Sequence, residues 1–378
     1  MDDAQHVTQD AAEHYAVYVM AKTAEDLGAA TTSHSEALWD GFVAYLAHRT
    51  WTHDVQFVEL YPEYKANVDR QVPRFVDRLA SKYPRSKFRF AIDEARFRIM
   101  GIKADFTIEF DTEQDPHFVS LKNYIGKSGI TRPQVSSGTF LSFAAGFVFE
   151  RRGVGTYDDP RVAGRTFSGS NKVERDGVLA YQGRTELIAP LQELDDIQQH
   201  IRNELLSMRM YDEATVKAVI QTIVPRGQAA MLNIFETLGM GAVRAKFLER
   251  AGLDATEDVL YFDAHNFVDS ITNPKFSRLV DLVNDPATEF SISPVGQSLR
   301  FRFSANGQSI LSVDVPLTIN TNGAWHRPKQ RYAGTQEKND KGHRVQLQWG
   351  ELRPYKSREL ATSTNTYINL KATGIFDG

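Results

Sequence analysis

Lys103-Ala-Asp-Phe-Thr-Ile-Glu-Phe-Asp111 and, five residues on, His117-Phe-Val-Ser-Leu-Lys-Asn-Tyr124 alternate in polarity with a period of two. That period belongs to strands, and the turn-forming run Thr112–Pro116 between them predicts an antiparallel hairpin. With the turn centred near Gln114, Asp105 is expected opposite Lys122 or its neighbour. Ala104, Phe106, Ile108 and Phe110 then share one apolar face with Val119 and Leu121. The other face carries Asp105, Thr107 and Glu109 beside Ser120, Lys122 and Tyr124. A carboxylate and an ammonium are thus expected on one patch next to a hydrophobic layer. Phosphodiester hydrolysis uses such a pair: the carboxylate holds Mg²⁺, and the lysine orients a water and stabilises charge growing on the phosphate. The plainer reading is a cross-strand surface ion pair contributing roughly 0.2–1 kcal/mol.

Upstream of the hairpin the period is helical, over residues 11–27, 36–48 and about 68–82, and Ser33-His34-Ser35-Glu36 has the form of a capping box. Phe88, Phe90 and Ile92, then Phe97 and Ile99, predict strands before the hairpin. Downstream, a helix is expected from Gln134 to Glu150. An irregular Gly/Arg/Ser/Asp-rich region is expected over 151–185, helices between about 195 and 253, and alternation again in Leu299-Phe301-Phe303, Ile310-Ser312-Asp314 and Val345-Leu347-Trp349. The expected class is α/β (α+β), a mixed sheet flanked by helices with a β-rich C-terminal part. Its divisions are a core with N-terminal helices over 1–190, a helical region over 191–285 and a β-rich region over 286–378. Repeats and low-complexity segments are absent from the sequence.

Composition narrows the function. The 378 residues are 42% hydrophobic and 24% charged, as in an ordinary globular protein. With no cysteine there is no disulfide framework, thiolate zinc site or cysteine nucleophile, which suits a reducing cytosol. The acidic start Met1-Asp2-Asp3 is unlike a secretory signal, and no apolar run approaches the roughly eighteen residues of a membrane span, so a cytoplasmic protein without membrane contact is expected. The net charge of −4 hides a strong asymmetry. Residues 1–30 carry six acids and one lysine, residues 122–184 ten basic residues and five acids, and residues 321–358 nine basic residues and three acids. A polyanion needs local positive surface rather than a basic average; solvated loop charge is the alternative.

Taken together, Gly101-Ile-Lys-Ala-Asp105-Phe, Ser120-Leu-Lys122 and a helix beginning near Gln134 resemble the core of the PD-(D/E)xK nucleases, over about residues 95–150. The resemblance implies a restriction-endonuclease-like fold, Mg²⁺ as cofactor and DNA as substrate. Asp105, Ser120, Lys122 and Gln134 would be catalytic, and Asp105, Glu36, Glu109 and Leu121 would form the metal site. Two positions depart from the pattern. Ser120 stands where the family has an acid, so a second carboxylate must come from Glu36, Glu109 or Glu94, and Ala104 stands where proline is common. Arg132, Arg151, Arg152, Arg165 and Lys172 in the Gly-rich region, and Arg327, Lys329 and Arg331 among the aromatic residues Trp325 and Tyr332, are the expected DNA contacts.

Other chemistries lack their signatures. Gly126-Lys127-Ser128-Gly129 is no P-loop because position 121 is leucine rather than glycine. His48 and His53 fit no zinc spacing, and no nucleophile elbow or dinucleotide fingerprint occurs. The expected function is therefore a type II restriction endonuclease acting as a homodimer on double-stranded DNA. The alternatives are a repair or junction nuclease of the same fold, or a DNA-binding protein inactivated by Ser120.

Overall fold

The computed structural model describes residues 3–49, 62–93, 104–124, 134–136, 138–149, 169–206, 213–254, 257–263, 267–320, 336–338, 344–346 and 361–368, with backbone alone for 3–10, 45–49, 62–64, 122–124, 134–136, 202, 204–206, 213, 263, 320, 336–338 and 344–346. Three helices come first: α1 (Asp3–Asp26), α2 (Ser35–Arg49) and α3 (Pro62–Lys82). The meander β1 (Phe88–Ala91), β2 (Phe106–Phe110) and β3 (His117–Tyr124) follows. After β4 (Gln134–Ser136) come α4 (Phe140–Val148), α5 (Lys172–Tyr181), α6 (Ile188–Leu206), α7 (Glu213–Leu238) and α8 (Met240–Ala251). The chain then re-enters the first sheet as β5 (Asp258–Asp263) and β6 (Phe267–Asp269), and continues into α9 (Pro274–Asn284).

The protein is thus mixed α/β, as its two periodicities predict. The five-stranded sheet has the order β1-β2-β3-β5-β6, with β3 antiparallel to β2 and parallel to β5. A parallel neighbour requires a crossover, and helices α4–α8 supply it. One face of the sheet buries Phe88, Phe90, Phe106, Ile108, Phe110, Val119, Leu121, Leu260 and Phe262 under α1 and α3. Helix α1 opposes it with Ala12, Ala16, Met20 and Ala24, fully buried at spacings of four, and the three alanines permit close approach. Helix α3 contributes Val68, Val72, Phe75, Val76 and Leu79 in the same rhythm. On the other face, Val259, Tyr261 and Val268 join a second cluster of buried side chains that spans α4, the helices after it and the C-terminal strands.

In the C-terminal part, β7 (Glu289–Val295), β8 (Ser298–Ala305) and β9 (Gln308–Pro316) form an antiparallel meander. Leu299, Phe301 and Phe303 point inward, as their alternation predicts, and Arg300 on the outer face makes a two-pronged pair with Asp314 at 2.7 and 2.8 Å. Short pairs complete this β-rich region: β10 (Thr318–Asn320) with β13 (Ala361–Ser363), β11 (Gln336–Lys338) with β12 (Arg344–Gln346), and β14 (Thr366–Tyr367) with β4. Among the described residues no helix is long and apolar enough to cross a membrane.

Three expectations are corrected. The helix expected from Gln134 begins at Phe140, because Gln134 and Ser136 pair with Tyr367 and Thr366 more than two hundred residues away. Thr139 caps α4 by accepting the Ser142 amide at 3.1 Å. Within the irregular region expected over 151–185, residues 172–181 are helical, with Asn171 as N-cap and Val178 and Leu179 buried. The hairpin register is Phe106↔Val119, Thr107↔Phe118 and Ile108↔His117, two residues from that expected, so Asp105 faces Ser120 rather than Lys122. A slip of two leaves the faces unchanged, because side chains alternate with a period of two. The apolar pattern therefore sets the face, and the turn sets which register of that face is used.

Phe301 lies at the centre of the second cluster, stacked on Phe247 (centroids 4.8 Å apart) and on Phe147 (6.2 Å), with Phe235 edge-on at 5.7 Å. Phe301→Ala will lower unfolding free energy by about 3–5 kcal/mol in urea titrations, the range for a buried aromatic replaced by a cavity.

Candidate functional site

Asp105 lies just before β2. Its amide donates to the Val119 carbonyl at 2.8 Å, so the ladder continues through it. Its Oδ2 accepts the Leu121 amide at 2.6 Å and the Ser120 hydroxyl at 3.3 Å. The half-buried carboxylate is held by two donors of the triplet-bearing strand, one a main-chain group that cannot rotate away. The Leu121 side chain is fully buried in the core. In an extended strand a residue's N–H and C=O point to the same side. The Leu121 carbonyl therefore faces the β2 edge, where Asp105 stands.

Lys122 is two residues past Ser120 and hence on the same face of β3, level with Tyr261 of β5. The structure therefore brings Asp105, Ser120 and the backbone of Lys122 to one patch, with Ser120 directly opposite Asp105 and Lys122 on the diagonal. Gln134 lies in the separate β4/β14 pair rather than at a helix start. Glu109 shares the face of Asp105 but is four residues along, about 13 Å at strand rise. It pairs with Arg89 of β1 at 3.5 Å instead. Glu109 is accordingly no co-ligand of Asp105.

Glu36 is exposed in the first turn of α2. The capping box expected of it is replaced by a longer-range cap. Glu25 of α1 accepts the His34 and Ser35 amides at 2.7 and 2.8 Å and the Ser35 hydroxyl at 2.5 Å. His34 Nε2 contacts the Phe90 carbonyl at 2.7 Å, and Phe90 is in register with Ile108. The start of α2 is thereby tied to β1 and carries Glu36 with it, leaving Glu36 free of the capping duty. Glu94 lies outside the described residues, as do Arg132, Arg151, Arg152, Arg165, Arg327, Lys329 and Arg331. Lys172 is exposed at the start of α5. Arg175, one turn further along the same helix, is completely buried and paired with Asp176 at 3.0 Å, so it belongs to the core rather than to a DNA surface.

As a donor set, the Asp105 carboxylate and the Leu121 carbonyl fit a hard oxygen-seeking cation. Mg²⁺ is typically held by one or two carboxylates, waters and substrate phosphate rather than by a full protein cage. Among the described residues no three His, Asp or Glu side chains gather as a preformed cage. A different cluster escapes sequence reading: His117 lies between Glu113 and Asp258, at 2.8 and 2.7 Å. Asp258 is 141 positions away in sequence, so the signal available is limited to the Glu113/His117 spacing of four. Comparison of the chain with protein-family models, with curated proteins and with solved structures finds no match.

The Glu25 cap has a pH signature. Burial pushes its carboxyl up, but the hydrogen bonds from Ser35 and His34 outweigh this and leave it below the usual carboxylate range. A depressed folded pKa contributes stability that is present above the unfolded value near 4.3 and is lost as pH falls through the folded one. At neutral pH, Glu25→Ala will cost about 0.5–2 kcal/mol, the range of cap deletions. Glu36→Gln will change stability by less than about 0.5 kcal/mol. Urea titrations will measure both, and the Glu25→Ala deficit will shrink on acidification through that window.

Proposed function

We propose that the chain is a Mg²⁺-dependent endonuclease acting on double-stranded DNA, in the manner of a type II restriction enzyme of restriction-endonuclease-like fold. The observation that carries this reading is the shared face of Asp105, Ser120 and Lys122, with the Asp105 carboxylate fixed by the Leu121 amide. An ordinary surface ion pair needs no such anchoring. A group that must present one oxygen to a cation benefits from it, because the orientation is set before substrate arrives.

Each residue then has a defined task. Asp105 would hold the cation through its carboxylate, and the Leu121 carbonyl would add a neutral oxygen. Bound Mg²⁺ supplies charge neutralisation at the phosphate and a water of lowered pKa. Lys122 would orient the attacking water and stabilise the charge gathering on the phosphate oxygens. Glu36, in the first turn of a helix whose start the His34 contact ties to β1, is the leading candidate for the second carboxylate. The basic stretches 122–184 and 321–358 provide phosphate contacts, and a two-fold dimer matches a palindromic target. The replacement of an acid by Ser120 supports one rival, a nuclease-like protein that binds DNA without cutting it.

Asp105→Ala will abolish Mg²⁺-dependent cleavage while leaving duplex binding in Ca²⁺ within a few-fold of wild type, because the phosphate contacts lie elsewhere. Gel assays of cleavage and filter binding on the same preparation read the two quantities. Near wild-type turnover in this variant removes the assignment of Asp105. Glu36→Gln will reduce cleavage far more than stability, and unchanged cleavage moves the second carboxylate away from α2.

A further inference from the structure

His117 begins β3, at the end of the strand remote from Lys122. Its Nδ1 lies 2.7 Å from Asp258 Oδ2 and its Nε2 2.8 Å from Glu113 Oε2. Glu113 belongs to the turn between β2 and β3, and Asp258 is the first residue of β5. The other oxygen of Asp258 accepts the Ser270 hydroxyl at 2.6 Å, and Ser270 Oγ in turn accepts the Val259 amide at 2.9 Å. One side of the imidazole rests edge-to-face against Phe110, with centroids 5.2 Å apart.

The protonation state follows from the partners. An ionised carboxylate only accepts hydrogen bonds, and a neutral imidazole has one N–H to give. Both contacts are hydrogen bonds only when both ring nitrogens carry protons. In the neutral ring, one nitrogen lone pair would face a carboxylate oxygen at under 3 Å.

We propose that His117 is a pH-operated fastener, which as an imidazolium ties the β2–β3 turn to the start of β5 and on losing its proton releases one of the two carboxylates.

The other charged groups around the ring act in the same direction. His117 lines a cavity of about 390 Å³ together with Asp115 of the turn, Glu257 before β5 and Asp281 of α9, and among the described residues no lysine or arginine lines it. From β2 the ring meets Phe110, which is neutral. The bond to Asp258 raises the proton affinity of His117 most; burial opposes it, and the bond to Glu113 adds to it. The sign is that of a group whose folded pKa exceeds its unfolded value. The tie is complete below about pH 6.5 and is lost as pH rises through the folded value. The strand so fastened is the one shared by both hydrophobic clusters. This proposal does not depend on the nuclease reading, and its test uses no cleavage.

The test is a pH titration of the full chain with isotope-labelled histidine, in which His117→Gln identifies the His117 signal among the ten histidines. The expected result is a midpoint above about 6.5, which Glu113→Gln shifts downward. Amide protection at the starts of β3 and β5, taken relative to the intrinsic base-catalysed rate at each pH, will fall several-fold across that midpoint in the wild type and stay flat in His117→Gln. A wild-type midpoint at or below 6.5, or a midpoint unmoved by Glu113→Gln, overturns the proposal. Protection that falls equally in His117→Gln overturns it as well. If His117→Gln fails to fold, His117→Asn identifies the signal in its place, and the midpoint shift in Glu113→Gln decides.

Discussion

Strand β3 is hydrogen-bonded on both sides, antiparallel to β2 and parallel to β5, and this double pairing constrains most of what surrounds it. Val119 and Leu121 lock one face into the core beneath α1 and α3. A slip by one residue would exchange that apolar face for the face carrying Ser120 and Lys122, and would bury a charge that has no place among phenylalanines. The strand is therefore fixed in register by burial, and everything attached to its other face inherits that precision. The long helical crossover exists because β5 must return parallel to β3.

The two ends of β3 have different chemistry. Near its C-terminal end, the Leu121 amide and Ser120 hydroxyl hold the Asp105 carboxylate beside the position of Lys122. At its N-terminal end, His117 holds two carboxylates from opposite neighbours. In both places a carboxylate is oriented by a strand whose own position is set by the core. The buried groups supply rigidity, and the half-exposed ones use it. Such a division is expected where a site must be held within a fraction of an ångström.

Much of this was legible in the chain because period-two and period-3.6 patterns are local. The strands around Asp105 and Ser120, the faces of Phe106, Ile108, Val119 and Leu121, and the inward Leu299, Phe301 and Phe303 all follow from alternation alone. What failed depended on distant partners. Gln134 became a strand residue because Tyr367 pairs with it, and Glu25 took the cap expected within Ser33–Glu36 from ten residues away. The register slipped by two because burial distinguishes odd from even shifts and is blind to even ones. Asp258 could not be joined to His117 by any local rule. The helix α5 was hidden by the glycine-, serine- and arginine-rich composition that precedes it, although Arg175, Val178 and Leu179 carry the helical spacing.

The nuclease reading is tested most directly by incubating the purified wild-type chain with mixed plasmid and phage DNA, with Mg²⁺ or with EDTA. The account predicts discrete fragments in Mg²⁺ and intact DNA in EDTA, since the proposed hydrolysis requires a cation at Asp105. Intact DNA at every Mg²⁺ concentration, from a folded chain that retains the DNA on a gel, would contradict it and identify Asp105 and Lys122 as parts of a binding surface.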